Sequence, residues 1–174
     1  MKPETEERLK KIKRISNILR GICKVLLALL ICGFFVVMGL TFDGRATLHF
    51  SDNSVPLAPL PLPSRLGLAV IVELAMAVKF KGLYHLYRLF GNYGRGDIFT
   101  TESAAQIRQL GITALLWAGV TFFWTCIAPV LTQSHLPTLF PFHADSLVTG
   151  LVIIVISWFM EMAAEMREEN ELTV

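Results

Sequence analysis

Glu73 is the residue whose chemistry stands out first, because it is the one acid inside the apolar run Leu66 to Val78. An ionised side chain in the middle of a bilayer costs at least a few kcal/mol. A carboxyl group there is therefore expected to be neutral, hydrogen-bonded to a neighbouring helix, or used to bind a proton or cation. Ala69, Met76, Ala77 and Phe80 share its helical face, where small residues let a second helix approach; Thr113, Thr121, Thr125 and Ser157 are candidate hydroxyl partners. His49, His135 and His143 are ligand types for zinc or copper, but no HxxxH or HExxH pair is present and Asp52 or Asp145 would have to complete the shell. They read as scattered loop residues, and no metal is expected. His85 reads as an interfacial side chain, since no second well-placed histidine accompanies it for a haem. Cys23, Cys32 and Cys126 lie in or beside apolar runs and imply no disulfide framework.

The usual catalytic constellations are missing: there is no GxSxG, no Walker lysine and no CxxC. The glycines of GNYGRGD, Gly91, Gly94 and Gly96, are not followed by the Lys-Ser/Thr that a phosphate-binding loop requires, so they read as a turn, and Arg95-Gly96-Asp97 as a chance adhesion match. No catalytic residue and no cofactor is expected.

The elements that must position these residues follow from composition. The chain has 174 residues, 53% of them hydrophobic and 17% charged, with a mean hydropathy of +0.55. That excludes disorder and places the chain among membrane proteins, with no stretch outside the apolar runs long enough for a separate enzyme domain. Val25 to Phe42 is free of charge over 18 residues, roughly 27 Å of helix, about one hydrocarbon core. It reads as an uncleaved anchor rather than a signal peptide, being too long and flanked by Asp43-Gly44-Arg45. Pro56, Pro59, Pro61 and Pro63 favour an extended segment before the second span, which continues past Lys79 and Lys81 if their side chains snorkel to the headgroups. Gln109 to Ala144 carries no Asp, Glu, Lys or Arg over 36 residues, too long for one helix, with Pro129, Pro137 and Pro141 marking its stops. Ser146 to Met160 supplies the last run.

Positive charge sets the direction. Eight Lys or Arg precede the first span and five lie between the second and third, against Arg45 and Arg65 alone in the outer loops. By the positive-inside rule both termini are cytoplasmic.

Three segments on that side are ordered by local rules. Glu4 with Arg8, Glu6 with Lys10 and Glu7 with Lys11 predict a helix beside an apolar stripe of Leu9, Ile12, Ile15, Leu19 and Ile22. Its simplest role is interfacial, on anionic headgroups; a docking face for an acidic partner is the alternative. Thr100-Thr101-Glu102 predicts a hydroxyl N-cap with an acid in the first helical turn, making Leu83 to Gly111 an ordered hairpin whose Tyr84, Tyr87, Phe90, Tyr93 and Phe99 pack at headgroup level. At the carboxyl end Glu161, Glu165, Glu168, Glu169 and Glu171 face a single base, Arg167. Like charges at four-residue spacing repel, so a cationic neighbour is expected: either the amino-terminal helix or a basic cytosolic protein.

At these segments the chain resembles a bacterial family of four-span membrane proteins catalogued as domain of unknown function 2975. The residues that carry the resemblance are Leu86-Tyr87-Arg88-Leu89-Phe90, Gly94-Arg95-Gly96-Asp97-Ile98-Phe99-Thr100, Gln106-Ile107-Arg108-Gln109-Leu110-Gly111 and Arg167 to Val174. The long basic leader and the proline-rich outer loop depart from the family pattern. Members of that family are often encoded beside a small helix-turn-helix regulator, so the resemblance implies a membrane component that holds or releases a DNA-binding protein.

The expectation is therefore an all-α, integral membrane four-helix bundle in a bacterial inner membrane. It comprises a basic amphipathic helix over 1–24, a membrane domain over 25–160 with spans near 25–42, 66–84, 111–131 and 146–162, and an acidic tail over 161–174. Its partners are the lipid bilayer and a cytoplasmic DNA-binding regulator, with no direct nucleic-acid contact. Arg88, Arg95, Asp97, Thr100, Glu102, Arg108 and the tail glutamates are the docking candidates. A carrier or channel subunit centred on Glu73 is the alternative.

Overall fold

The structure, a computed structural model, describes residues 3–43, 47–50, 53–56, 60–132 and 144–172. Four long helices account for most of them: α1 (Pro3–Asp43), α2 (Leu62–Arg95), α3 (Thr101–Thr132) and α4 (Ala144–Leu172). The all-α class holds with one addition. Thr47–Phe50 (β1) and Asn53–Pro56 (β2) pair antiparallel, Thr47 opposite Pro56 and Phe50 opposite Asn53. Pro56 ends the second strand, where a missing N–H costs the pairing least.

Local chemistry explains the helix ends. Pro61 (φ −64°, ψ 152°) is the extended residue before α2, and Pro63 sits in the first turn, where no carbonyl awaits its absent N–H. The Arg65 side chain closes that end by donating to the Leu60 carbonyl at 2.8 Å. α3 ends at Thr132, three residues past Pro129 and one past the expected end of the span near 131, the proline having removed a backbone bond in the last turns. The basic leader and the first apolar run form a single helix without a break.

Three helices are long and apolar enough to cross a membrane, over Lys10–Thr41, Thr101–Ile127 and Asp145–Met166. α2 is long enough but carries Arg65, Glu73, Lys79 and Lys81 between its first turn and just past its middle and is not among them. The sides of the helices are strongly apolar: Phe35 is 68% exposed, Phe159 67% and Val148 62%. Large exposed apolar side chains in this number are rare on a water-facing monomer and mark contact with a membrane or another protein.

The packing of the expected four-helix bundle is serial. α1 packs on α2, α2 on α3 and α3 on α4, and among the described residues no other pair of helices approaches closely. The result is an open row. Its seams are local: Gly33 faces Met76 between α1 and α2; Ala75, Val78 and Val120 pack with Trp117 between α2 and α3; Gly111 meets Gly150 between α3 and α4. At that last seam a Cβ on Gly111 would lie 2.9 Å from the Gly150 carbonyl oxygen and 2.7 Å from Ile154 Cγ1, so two helix backbones touch where only hydrogen fits.

A candidate functional site at the charged end of the helices

Past the apolar lengths, the end of the row that carries both termini is built from the first part of α1, the last turns of α2, the first turns of α3 and the last part of α4. The α2–α3 connection is fixed by two caps. Gly96 adopts φ 100°, a left-handed conformation in which its N–H reaches the Asn92 and Tyr93 carbonyls, and Asp97 N–H reaches Asn92 as well. That is a glycine-ended α2, as expected where the chain must reverse. Thr100 then caps α3: its Oγ1 accepts from Ser103 N–H at 3.2 Å, and Ser103, fully buried, donates from Oγ to the Asp97 carbonyl at 2.9 Å. The hydroxyl N-cap read from the sequence is thus the residue that closes the turn.

Across the hairpin, His85 Nδ1 and Gln106 Oε1 lie 2.7 Å apart, tying α2 to α3. Arg88 pairs with Glu102 at 3.5 Å, Arg95 with Asp97 at 3.3 Å and Arg108 with Glu161 at 3.7 Å. All six of these side chains are between two-fifths and three-fifths exposed, so each pair contributes at most about 1 kcal/mol and leaves its members available to a partner. Burial pushes the Tyr93 phenol above its ordinary range.

The structure brings the docking candidates together only in part. Arg88, Arg95, Asp97, Thr100 and Glu102 share the α2–α3 turn, and Arg108 with Glu161 lies on the α3–α4 seam. Glu165 and Glu169 are exposed on the last turns of α4. Among the described residues α1 makes no close approach to α4, which lies on the far side of the row, and the cationic neighbour of Glu161 is Arg108 of α3. His135, His143, Pro137, Pro141, Asp52 and Arg45, and the side chains of Glu4, Glu6, Arg8, Glu168 and Glu171, lie outside the described residues.

Glu73 is placed between α2's buried positions Val72 and Ala75, and neither of its carboxyl oxygens has a hydrogen-bond partner among the described residues. The four hydroxyls expected to reach it turn back instead. Thr113 donates to Gln109 O, Thr121 to Ala118 O, Thr125 to Thr121 O and Ser157 to Ile154 O, each between 2.6 and 2.9 Å. A carbonyl three or four residues back is always within reach of a helical Ser or Thr, and it outcompetes a distant carboxyl. Lys79 does not extend freely toward headgroups either: its Nζ stands 4.6 Å from the Trp117 ring centre, beside a groove of about 270 Å³ that also touches Thr149 and Asp145.

Sequence reasoning missed a convergence on the other side of α2. Lys13, Asn17 and Arg20 of α1 lie against Gly96, Gly94 and Gly91 of α2, whereas Ile12, Ile15, Ile18 and Ile22 face outward. The polar stripe packs and the apolar one is exposed. Tyr84, Arg88 and Asn92, and Tyr87, Gly91 and Arg95, each recur at four-residue spacing, a pattern that groups them on one side of α2.

The family model described as "Protein of unknown function (DUF2975)" matches residues 44–174, which takes in the hairpin, α2, α3 and α4 but not α1. No curated protein and no solved structure matches the chain. With most of its length matched, the chain belongs to the DUF2975 family.

Proposed function

We propose that this is a non-enzymatic, multi-pass protein of a bacterial inner membrane, with both termini cytoplasmic, whose charged end docks a soluble partner. The observation that carries the reading is the α2–α3 turn. It is capped at both ends and tied across by His85 and Gln106, yet it presents Arg88, Arg95, Asp97 and Glu102 half-exposed in weak pairs, with the equally weak Arg108–Glu161 pair beside it on the α3–α4 seam. Ordered polar side chains held in exchangeable surface pairs suit recognition, because little entropy is lost when a partner replaces one member of the pair. The exposed Glu165 and Glu169 on α4 add an acidic edge complementary to a basic DNA-binding regulator. Orientation rests on thirteen cationic residues before the first and between the second and third apolar runs, against two in the other loops. The α2 helix is carried across by its neighbours on both sides, α1 and α3.

The test is capture of tagged full-length protein from native membranes, in parallel with a chain lacking residues 165–174 and an Arg88→Ala, Arg108→Ala variant, each checked for equal abundance. Docking predicts a small DNA-binding protein recovered by the full-length chain and lost from both variants. Equal recovery by all three, or none by any, refutes it. A second reading is favoured by one observation, the buried and unpartnered carboxyl of Glu73: a carrier or channel subunit in which that group binds a proton or cation. Ion flux into liposomes that disappears with Glu73→Gln would establish this reading, and flux unaffected by the change would remove it.

A further inference from the structure

Between α1 and the last turns of α2 lies a polar cleft of about 300 Å³ lined by Arg20, Tyr84, Tyr87, Arg88, Gly91, Asn92, Arg95 and Glu102. We propose that this cleft is an anion site that takes a phosphate group, with Arg20, Tyr87, Arg88 and Asn92 as its donors. Its donors come from two helices, α1 and α2, with Glu102 of α3 at its edge, and not from a glycine loop.

Donors outnumber acceptors in it. The Arg20 guanidinium stacks 4.8 Å from the Tyr87 ring centre and donates to the Tyr87 hydroxyl at 3.1 Å. Among the described residues no carboxylate pairs with Arg20. Because the Tyr87 oxygen accepts that bond, its own proton remains to be donated. Asn92 is 3% exposed and accepts from Arg95 through Oδ1 at 2.6 Å, which leaves Nδ2 as the donor half of the amide; that nitrogen is buried with no acceptor among the described residues. A buried donor without an acceptor is disfavoured, and the cleft that Asn92 lines is where an acceptor can enter. Three arginines stand against Glu102, which Arg88 meets only at 3.5 Å. The ligand must therefore be anionic, acceptor-only and able to engage donors from several directions. A phosphate group does this with three or more oxygens, whereas a carboxylate offers two.

The phosphate has two sources, a lipid headgroup or the free ion. Ile18, Ile22 and Val25 of α1 are exposed within two helical turns of Arg20, so the apolar surface begins at the level of the cleft and a headgroup can reach it from the bilayer; an opening to water admits the free ion equally.

The experiment uses the full-length protein in maltoside micelles, which carry no phosphate, with thermal unfolding followed by tryptophan fluorescence. One arm adds inorganic phosphate, with acetate and chloride at matched ionic strength as controls; the other adds phosphatidylglycerol to the micelles, with an uncharged, phosphate-free diacylglycerol as its control. Saturable stabilisation by phosphate but not acetate assigns the site to the free ion. Stabilisation by phosphatidylglycerol alone assigns it to the headgroup. In either case Arg20→Gln is expected to weaken binding about tenfold, the loss typical of one charge-assisted hydrogen bond, while Arg14→Gln, exposed on the same helix and outside the cleft, leaves it unchanged. Asn92→Asp keeps the shape and the Arg95 acceptor but adds a negative charge to the wall, and it should abolish binding even if Arg20→Gln does not fold. No stabilisation in either arm, or equal losses from Arg20→Gln and Arg14→Gln, overturns the proposal.

Discussion

Adding one methyl group at two glycines of the same helix should have opposite consequences, and the difference can be worked from the α3–α4 seam. A Cβ on Gly119 would meet nothing within 4 Å. Gly119→Ala therefore gains only the helix preference of alanine over glycine, about 1 kcal/mol at most. A Cβ on Gly111 would meet Ile154 Cγ1 at 2.7 Å, the Gly150 carbonyl oxygen at 2.9 Å and Ile154 N at 3.1 Å. Two of these three contacts are backbone, so the clash cannot be relieved by a side-chain rotation; the helices must separate. The preference for alanine is common to both substitutions and cancels in the comparison. What remains is the overpacking cost at Gly111, about 1–3 kcal/mol. Separation would also stretch the Arg108–Glu161 pair, already at 3.7 Å, one helical turn away. The measurement is reversible unfolding in mixed micelles followed by tryptophan fluorescence, with Gly111→Ala below and Gly119→Ala at or above the parent. Equal stabilities for the two variants would refute the close approach of α3 and α4.

Three further outcomes follow from the same structure. Thr100→Ala removes the acceptor for Ser103 N–H and should cost about 1 kcal/mol in thermal unfolding, whereas Thr101→Ala, which caps nothing, should not. Glu73→Leu replaces a buried carboxyl without partners by an apolar side chain and should raise stability by about 1–3 kcal/mol; a lower stability would show that the carboxyl has a partner. For Tyr93 the sign runs toward loss at high pH. Its folded phenol ionises above the ordinary range, so the unfolded chain releases that proton first and stability falls once pH exceeds about 10. The parent and Tyr93→Phe should match at neutral pH, and the variant should show the shallower decline above pH 10.

What the sequence by itself determined is whatever depends on neighbours a few residues apart. Uncharged runs at Val25–Phe42 and Ser146–Met160 set helix length and apolarity, because both are sums over contiguous residues. Thr100 could be read as the cap of α3 and Gly96 as the end of α2 because capping is completed within four residues. The hairpin at Thr47–Pro56 was obscured by prolines that suit an extended chain without saying whether it pairs. The back-bonding of Thr113, Thr121, Thr125 and Ser157 was also a local matter, and it prevailed over the cross-helix bonds to Glu73 that a search for partners suggested.

Tertiary structure alone decided which helices touch. Apolar periodicity does not distinguish a face that meets lipid from one that meets a helix, since both are apolar, so a closed bundle and an open row read alike. For the same reason the stripes of α1, read as an interfacial helix on headgroups, did not show that its polar side is the one that meets α2, with Lys13, Asn17 and Arg20 against it and Ile12, Ile15, Ile18 and Ile22 exposed. The convergence of Arg20 with Tyr87 and Asn92 joins residues some seventy positions apart; no local rule carries information over that separation, and only the docking of α1 on α2 brings those donors into one cleft.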